Sequence, residues 1–159
     1  MNKLHLKQVR IGFDLGDTLV WGDTHHDGTV GDKTFYPKAM QVVRDCVEFC
    51  NAAYIISKVD EQQRIRALKL LETSNFHAIT GMPKEHVFFC ARRDQKGIIA
   101  RKLGLNAFVD DRPEVMAHMD KDVYRILFNP IADDVKKWKV DFLPVARDWA
   151  QVDRLLFGE

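Results

Sequence analysis

The sequence predicts an α/β fold: a doubly wound, mostly parallel sheet of five to six strands with helices on both faces. Three observations lead to it. Short apolar runs rich in Val, Ile and Phe alternate along the chain with segments of helical period. Several of the runs are continuously apolar, as expected of strands buried on both faces. Several also end in a carboxylate or hydroxyl followed by a turn, which is how parallel strands deliver polar groups to the carboxyl edge of a sheet.

Each element can be justified in order. Leu4 to Gln8 is a lead-in, and the first strand runs from about Val9 to Asp14. Trp21 to Lys33 has no period and is rich in Gly and Asp, so it reads as a loop or small hairpin. Pro37 opens a helix whose apolar positions Ala39, Met40, Val42, Val43, Cys46, Val47 and Cys50 recur at the helical spacing. Ala52 to Ser57 is a second buried strand, and Asp60 with Gln63 forms a capping box for the helix carrying Ile65, Leu68, Leu70 and Leu71. Phe76 to Pro83 reads as irregular, with a turn at Gly81-Met82-Pro83. His86 to Cys90 is the third strand. Asp94 is the expected cap of the helix Gln95 to Leu103, which Gly104 ends. Ala107 to Asp110 is the fourth strand, Pro113 starts a short helix over 114–119, and Val123 to Phe128 is the fifth strand. Ile131 to Trp138 reads as a loop with a helical turn and Phe142 to Val145 as a short sixth strand. Trp149 to Phe157 is a closing amphipathic helix. No repeat or linker divides the chain, so residues 1–159 are expected to form a single domain.

Composition narrows the function. The 24 Lys and Arg nearly balance the 23 Asp and Glu, so the net charge of +1 gives no electrostatic footprint for nucleic acid. No run is long enough to span a membrane, and the N-terminus lacks the apolar core of a signal peptide. The 3 cysteines, Cys46, Cys50 and Cys90, contain no Cys-x-x-Cys pair and fit reduced thiols in a cytoplasmic protein.

Chemistry-bearing residues collect at the expected strand ends. The first strand delivers Asp14, the second Ser57 and then Lys58. Arg92, Arg93 and Lys96 follow the third, and Asp110 and Asp111 close the fourth. Taken singly, Asp14 is also explained as a turn residue, Ser57 as part of a cap and Lys96 as a solvated side chain. The adjacent acids are harder to explain that way, because two carboxylates at one strand end repel unless a cation sits between them. Carboxylates on two strands suit a hard divalent cation such as Mg²⁺, while a hydroxyl and an ammonium suit phosphoryl oxygens.

Four stretches, in chain order, resemble the motifs of the haloacid-dehalogenase (HAD) superfamily, whose members are mostly Mg²⁺-dependent phosphatases. Phe13-Asp14-Leu15-Gly16-Asp17-Thr18-Leu19-Val20 resembles the first motif, Tyr54-Ile55-Ile56-Ser57 the second, Lys96 the lysine of the third, and Phe108-Val109-Asp110-Asp111 the paired-acid form of the fourth. The resemblance implies Asp14 as a nucleophile that forms an aspartyl-phosphate, with Ser57 and Lys96 holding the phosphoryl group. It also implies Mg²⁺ held by Asp14, the Gly16 carbonyl, Asp110 and Asp111. The implied activity is hydrolysis of a phosphomonoester. The segments between motifs are too short for an inserted cap domain, which implies an open site able to take large phosphorylated substrates.

The chain departs from the superfamily at Gly16, where its phosphatases carry a second Asp that serves as general acid and base. Asp17 is one residue out of place. Loss of general acid–base help typically costs about 10²–10⁴ in rate, so a second reading stands beside the first: a HAD-fold protein that binds a phosphorylated ligand or partner and turns over weakly or not at all. His25 or His26 in the Trp21–Lys33 segment is a candidate replacement for the missing acid, and Arg92-Arg93 a candidate contact for another phosphate. There is no Gly-x-x-x-x-Gly-Lys-Ser/Thr loop and no dinucleotide fingerprint. Motif order argues against a response-regulator receiver, since its acid pair belongs to the first strand and this one ends the fourth.

Overall fold

A computed structural model describes residues 3–22 and 33–158 of the chain. The elements follow in order: α1 (Lys3–Leu6), β1 (Arg10–Phe13), β2 (Val20–Trp21), β3 (Thr34–Phe35), α2 (Ala39–Phe49), β4 (Ala52–Lys58), α3 (Glu61–Thr73), α4 (Phe76–Thr80), β5 (Val87–Cys90), α5 (Gln95–Lys102), β6 (Ala107–Asp110), α6 (Pro113–Ala117), β7 (Tyr124–Phe128), α7 (Ala132–Lys137), β8 (Val145–Ala146) and α8 (Trp149–Phe157). Six strands form one parallel sheet in the order β5-β4-β1-β6-β7-β8, and β2 and β3 make a separate antiparallel hairpin. No helix among the described residues is long and apolar enough to cross a membrane.

The strand period of two divides the core between the two faces of the sheet. Ile11, Phe13, Ile55, Val109, Ile126 and Phe128 point to one side, where α2, α3, α4 and α8 add Val42, Val43, Leu71, Phe76 and Trp149. Tyr54, Ile56, Phe108 and Leu127 point to the other side, against Ala100 of α5 and Val115 and Met116 of α6. Both faces are therefore covered, which is why the strands read as continuous apolar runs.

β1 lies at the centre of the sheet, between β4 and β6. Phe13 is level with Ile55 on one side and Val109 on the other. The next residue of β1's chain, Asp14, donates its backbone N–H to the Val109 carbonyl at 3.0 Å. At the opposite edge Arg10 ties elements together, donating from Nε to the Leu103 carbonyl (2.9 Å), from Nη1 to Asn51 Oδ1 (2.6 Å) and from Nη2 to the Tyr54 hydroxyl (2.7 Å).

Most expected elements are present, and the differences have local causes. The capping box on α3 forms as expected, with Gln63 N–H donating to Asp60 Oδ1 at 2.7 Å and Asp60 N–H to Gln63 Oε1 at 2.8 Å. The stretch expected to be irregular contains the helix α4, nucleated by tertiary contact: Phe76 is fully buried and stacks on Phe35 at 5.7 Å. Gly81, in the left-handed region, ends it. Asp94 does not cap α5; it pairs with Arg92, and Gln95 Oε1 instead accepts the N–H groups of Ala91 and Arg92. The last strand is Val145–Ala146 rather than Phe142 to Val145, and Phe142 is 70% exposed. The Trp21–Lys33 segment is flanked by the β2–β3 hairpin; His25 and His26 lie outside the described residues.

Gly12 is required by packing. A Cβ there would stand 2.6 Å from Phe108 Cε2 and 2.7 Å from Leu105 Cδ1. Gly12→Ala is expected to destabilise the protein by about 1–3 kcal/mol through overpacking, measured as a lowered midpoint in urea at unchanged slope.

Candidate active site

The sheet order brings the sequence-predicted residues together. β1, β4 and β6 are neighbours, so Asp14, Ser57 and the Asp110-Asp111 pair emerge side by side at one edge. Lys96, in the first turn of α5, reaches the same place although its α-helix packs on one face of the sheet. Its Nζ donates to Asp14 Oδ1 at 2.9 Å and to Asp110 Oδ2 at 2.8 Å. Lys96 is only 2% exposed and Asp110 fully buried, so these pairs are shielded from water.

Further hydrogen bonds fix the carboxylates. Asp110 Oδ1 accepts the Arg112 N–H at 2.9 Å. Thr18 Oγ1 lies 3.2 Å from Asp14 Oδ2 and 3.3 Å from Asp111 Oδ1. Its single proton serves one carboxylate, and a protonated Asp111 would donate in the other contact. Thr18 is itself held in place, because the Trp149 indole of α8 donates to its carbonyl at 2.9 Å. Ser57 and Gly16 line the same cleft, whose volume is about 620 Å³.

Charge is out of balance in this cluster. Burial opposes the charged form of Lys96, but the carboxylates of Asp110 and Asp14 outweigh it and push its pKa above the ordinary lysine value. Lys96 pairs with Asp14 and Asp110 but not with Asp111, which has only the partly exposed Arg112 guanidinium at 3.8 Å among the described residues. Burial, then the Asp14 charge, raises the Asp110 carboxyl even against Lys96. Burial, then the charges of Asp110 and Asp14, raises Asp111 further. Carboxylate oxygens of Asp14, Asp110 and Asp111 all lie within 4.8 Å of one another. An all-oxygen donor set with excess negative charge fits a hard divalent cation of the Mg²⁺ type.

The sequence puts Asp17 one residue out of place and gives no role to Lys33 or Thr18. Asp17 takes the left-handed backbone (φ 57°) and lines the cleft despite its one-residue offset. Burial, followed by the Asp17 and Asp111 charges, raises the Tyr36 phenol. Gly16 does not use a left-handed backbone, and a Cβ there would meet, among the described residues, only Lys33 Nζ at 3.7 Å. The backbone therefore has room for a side chain at this position, and the ammonium of Lys33 stands in front of it. Lys33 carries no signal in the sequence, since it follows a segment without period. Thr18 was visible four residues after Asp14, but its bond to Asp111 depends on the fold.

No family model matches the sequence, and no curated protein matches it. Solved structures do share the fold. A HAD family hydrolase from Deinococcus radiodurans, with bound phosphate and sodium, superposes with a TM-score of 0.62 at 12% identity, covering 92% of this chain and 94% of that one. The 3-deoxy-D-manno-octulosonate 8-phosphate phosphatase of Moraxella catarrhalis, in complex with magnesium, phosphate and KDO, gives 0.58 at 14% identity over 97% and 88%. The D,D-heptose 1.7-bisphosphate phosphatase of B. bronchiseptica, complexed with magnesium and phosphate, gives 0.59 at 12% identity over 93% and 98%. The chain thus has the HAD-like fold. At such identities the likeness is one of fold, and function has to be argued from the site.

The charge imbalance sets a pH dependence for the metal-free protein. A carboxyl whose folded pKa is raised costs stability once it ionises. Stability should therefore fall as pH rises from the ordinary carboxyl value of 3.8 towards that of Asp111, about 9. Added Mg²⁺ should raise the thermal midpoint, and by more at pH 8 than at pH 5, because protons and cation compete for the same oxygens. Thermal scans at the two pH values with and without Mg²⁺ check this.

Proposed function

We propose that the protein is a Mg²⁺-dependent phosphomonoester hydrolase that works through an aspartyl-phosphate on Asp14. The observation that supports this best is the buried cluster in which Asp14, Lys96, Asp110 and Asp111 meet beside an open cleft. Asp14, Asp110, Asp111 and the Gly16 carbonyl would hold the cation. When bound, Mg²⁺ offsets phosphate charge, so that an anionic carboxylate can approach an anionic ester.

The chain's own residues supply the remainder. The Asp14 carboxylate attacks phosphorus, the ester P–O bond breaks, and the leaving oxygen departs with the bond's electron pair and takes up a proton. Water then cleaves the acyl phosphate, releasing orthophosphate and restoring Asp14. Lys96 holds Asp14 in one rotamer and, with Ser57, receives the phosphoryl oxygens as negative charge builds on them. Between β4 and β5 the chain forms only α3, α4 and one 3₁₀ turn, which leaves the cleft open to large phosphorylated substrates. The three free cysteines accord with a cytoplasmic setting.

Gly16 favours a second reading, that of a module which binds a phosphorylated ligand and turns it over weakly. Its missing carboxylate leaves the leaving oxygen without the usual proton donor, and among the described residues the group that faces that position is the Lys33 ammonium. Assay of a panel of phosphomonoesters separates the two. The proposed function requires Mg²⁺-dependent release of phosphate that Asp14→Asn abolishes; release that persists in Asp14→Asn would contradict it. Binding of phosphate with Mg²⁺ but no turnover, even of activated aryl esters, supports the second reading.

A further substitution tests the account of the leaving group. Gly16→Asp should raise turnover of alkyl phosphates by up to about 10²-fold and of aryl phosphates far less, since only poor leaving groups need the proton. Because Lys33 would pair with the new carboxylate, the gain should be larger in the Lys33→Met background. Equal gains on both ester types would refute this account.

A further inference from the structure

We infer, building on the phosphomonoester reading above, that the substrate's leaving group carries a second anionic group, bound by the cationic wall that α3 adds to the cleft. Ser57 and Lys96 meet the needs of one phosphoryl group. The same cleft is also lined by Lys33, Lys58, Arg66, Lys69, Arg93 and Arg112. This excess of cations is local, because the chain as a whole carries only +1.

The helical face of α3 shows the selection most clearly. Gln63, Arg66, Ala67, Leu70 and Thr73 recur at spacings of three and four along the face that lines the cleft, with Lys69 beside them. The acids of the helix, Glu61 and Glu72, are absent from that lining. Arg64, which points elsewhere, pairs with Glu61 at 3.5 Å. Arg66, Lys69 and Lys58 form no ion pair among the described residues. By contrast, Arg93 is engaged by Glu114 at 3.6 Å and Arg112 by Asp111 at 3.8 Å. Ala67 and Leu70, between the cations, give an apolar floor for a carbon skeleton. Together they describe a site for a phosphate ester whose leaving group carries a carbon chain and a second phosphate or carboxylate.

Non-hydrolysable probes test this independently of turnover. Butylphosphonate and butane-1,4-diphosphonate share a carbon chain and differ in the second anionic group. In calorimetric titrations with Mg²⁺ present, the wild-type protein should bind the diphosphonate at least about tenfold more tightly, as expected for charge-assisted contacts. Arg66→Ala/Lys69→Ala, on exposed positions, should remove that advantage and leave butylphosphonate affinity unchanged. Equal affinities in the wild type, or an advantage that survives in the double variant, would overturn the inference. Its failure is distinct from that of the hydrolase reading: a lost preference with turnover intact sinks only the inference. A retained preference without turnover sinks only the hydrolase.

Discussion

The constraint on which the site depends is the burial of acidic groups with too little positive charge beside them: among the described residues, the Lys96 ammonium and the more exposed Arg112 guanidinium, 3.8 Å from Asp111, are their ion-pair partners. Asp14, Asp110 and Asp111 converge at one edge of the sheet, and Lys96 is the cation bonded to Asp14 and Asp110. Burying unpaired charge is expensive, so such a cluster persists only if protons or a cation complete it. The raised carboxyls of Asp110 and Asp111 express that imbalance. The surrounding fold serves to hold the groups together. β1 sits between β4 and β6, Thr18 bridges Asp14 and Asp111, and the Trp149 indole fixes Thr18 from the far end of the chain.

Much of this was legible in the sequence because it is encoded locally. The apolar runs that end in Asp14, Ser57 and Asp110 are strands of a parallel sheet, and their polar ends necessarily share one edge. The capping box at Asp60 and Gln63 likewise depends only on neighbours. What could not be read depends on contacts between distant segments. Phe76 starts a helix because it packs against Phe35, forty-one positions away in a hairpin whose pairing is itself tertiary. Asp94 looked like a cap, but Arg92 engages it and Gln95 takes the backbone donors instead. Lys33 beside Gly16 and the cationic stripe on α3 are visible only once the cleft exists.

Gly16 changes meaning in this setting. Packing forces Gly12, but neither packing nor backbone conformation forces Gly16. Among the described residues, the space in front of Gly16 is open and faces the Lys33 ammonium. On the reading offered here, the site gives up proton donation for positive charge near the leaving oxygen. That exchange suits a leaving group that is itself anionic, and the cations along α3 extend the same preference outward. The acidic cluster and the cationic wall would then divide the work, one holding the group transferred and the other the group released.

The central claim is that Asp14 is the nucleophile. The most direct measurement is mass spectrometry of protein quenched in acid during turnover of a phosphomonoester with Mg²⁺. The account predicts a phosphoryl adduct on the peptide containing Asp14, lost on treatment with hydroxylamine and absent in Asp14→Asn. Steady turnover with the adduct on another residue, or with phosphate released by a route that Asp14→Asn leaves intact, would contradict it.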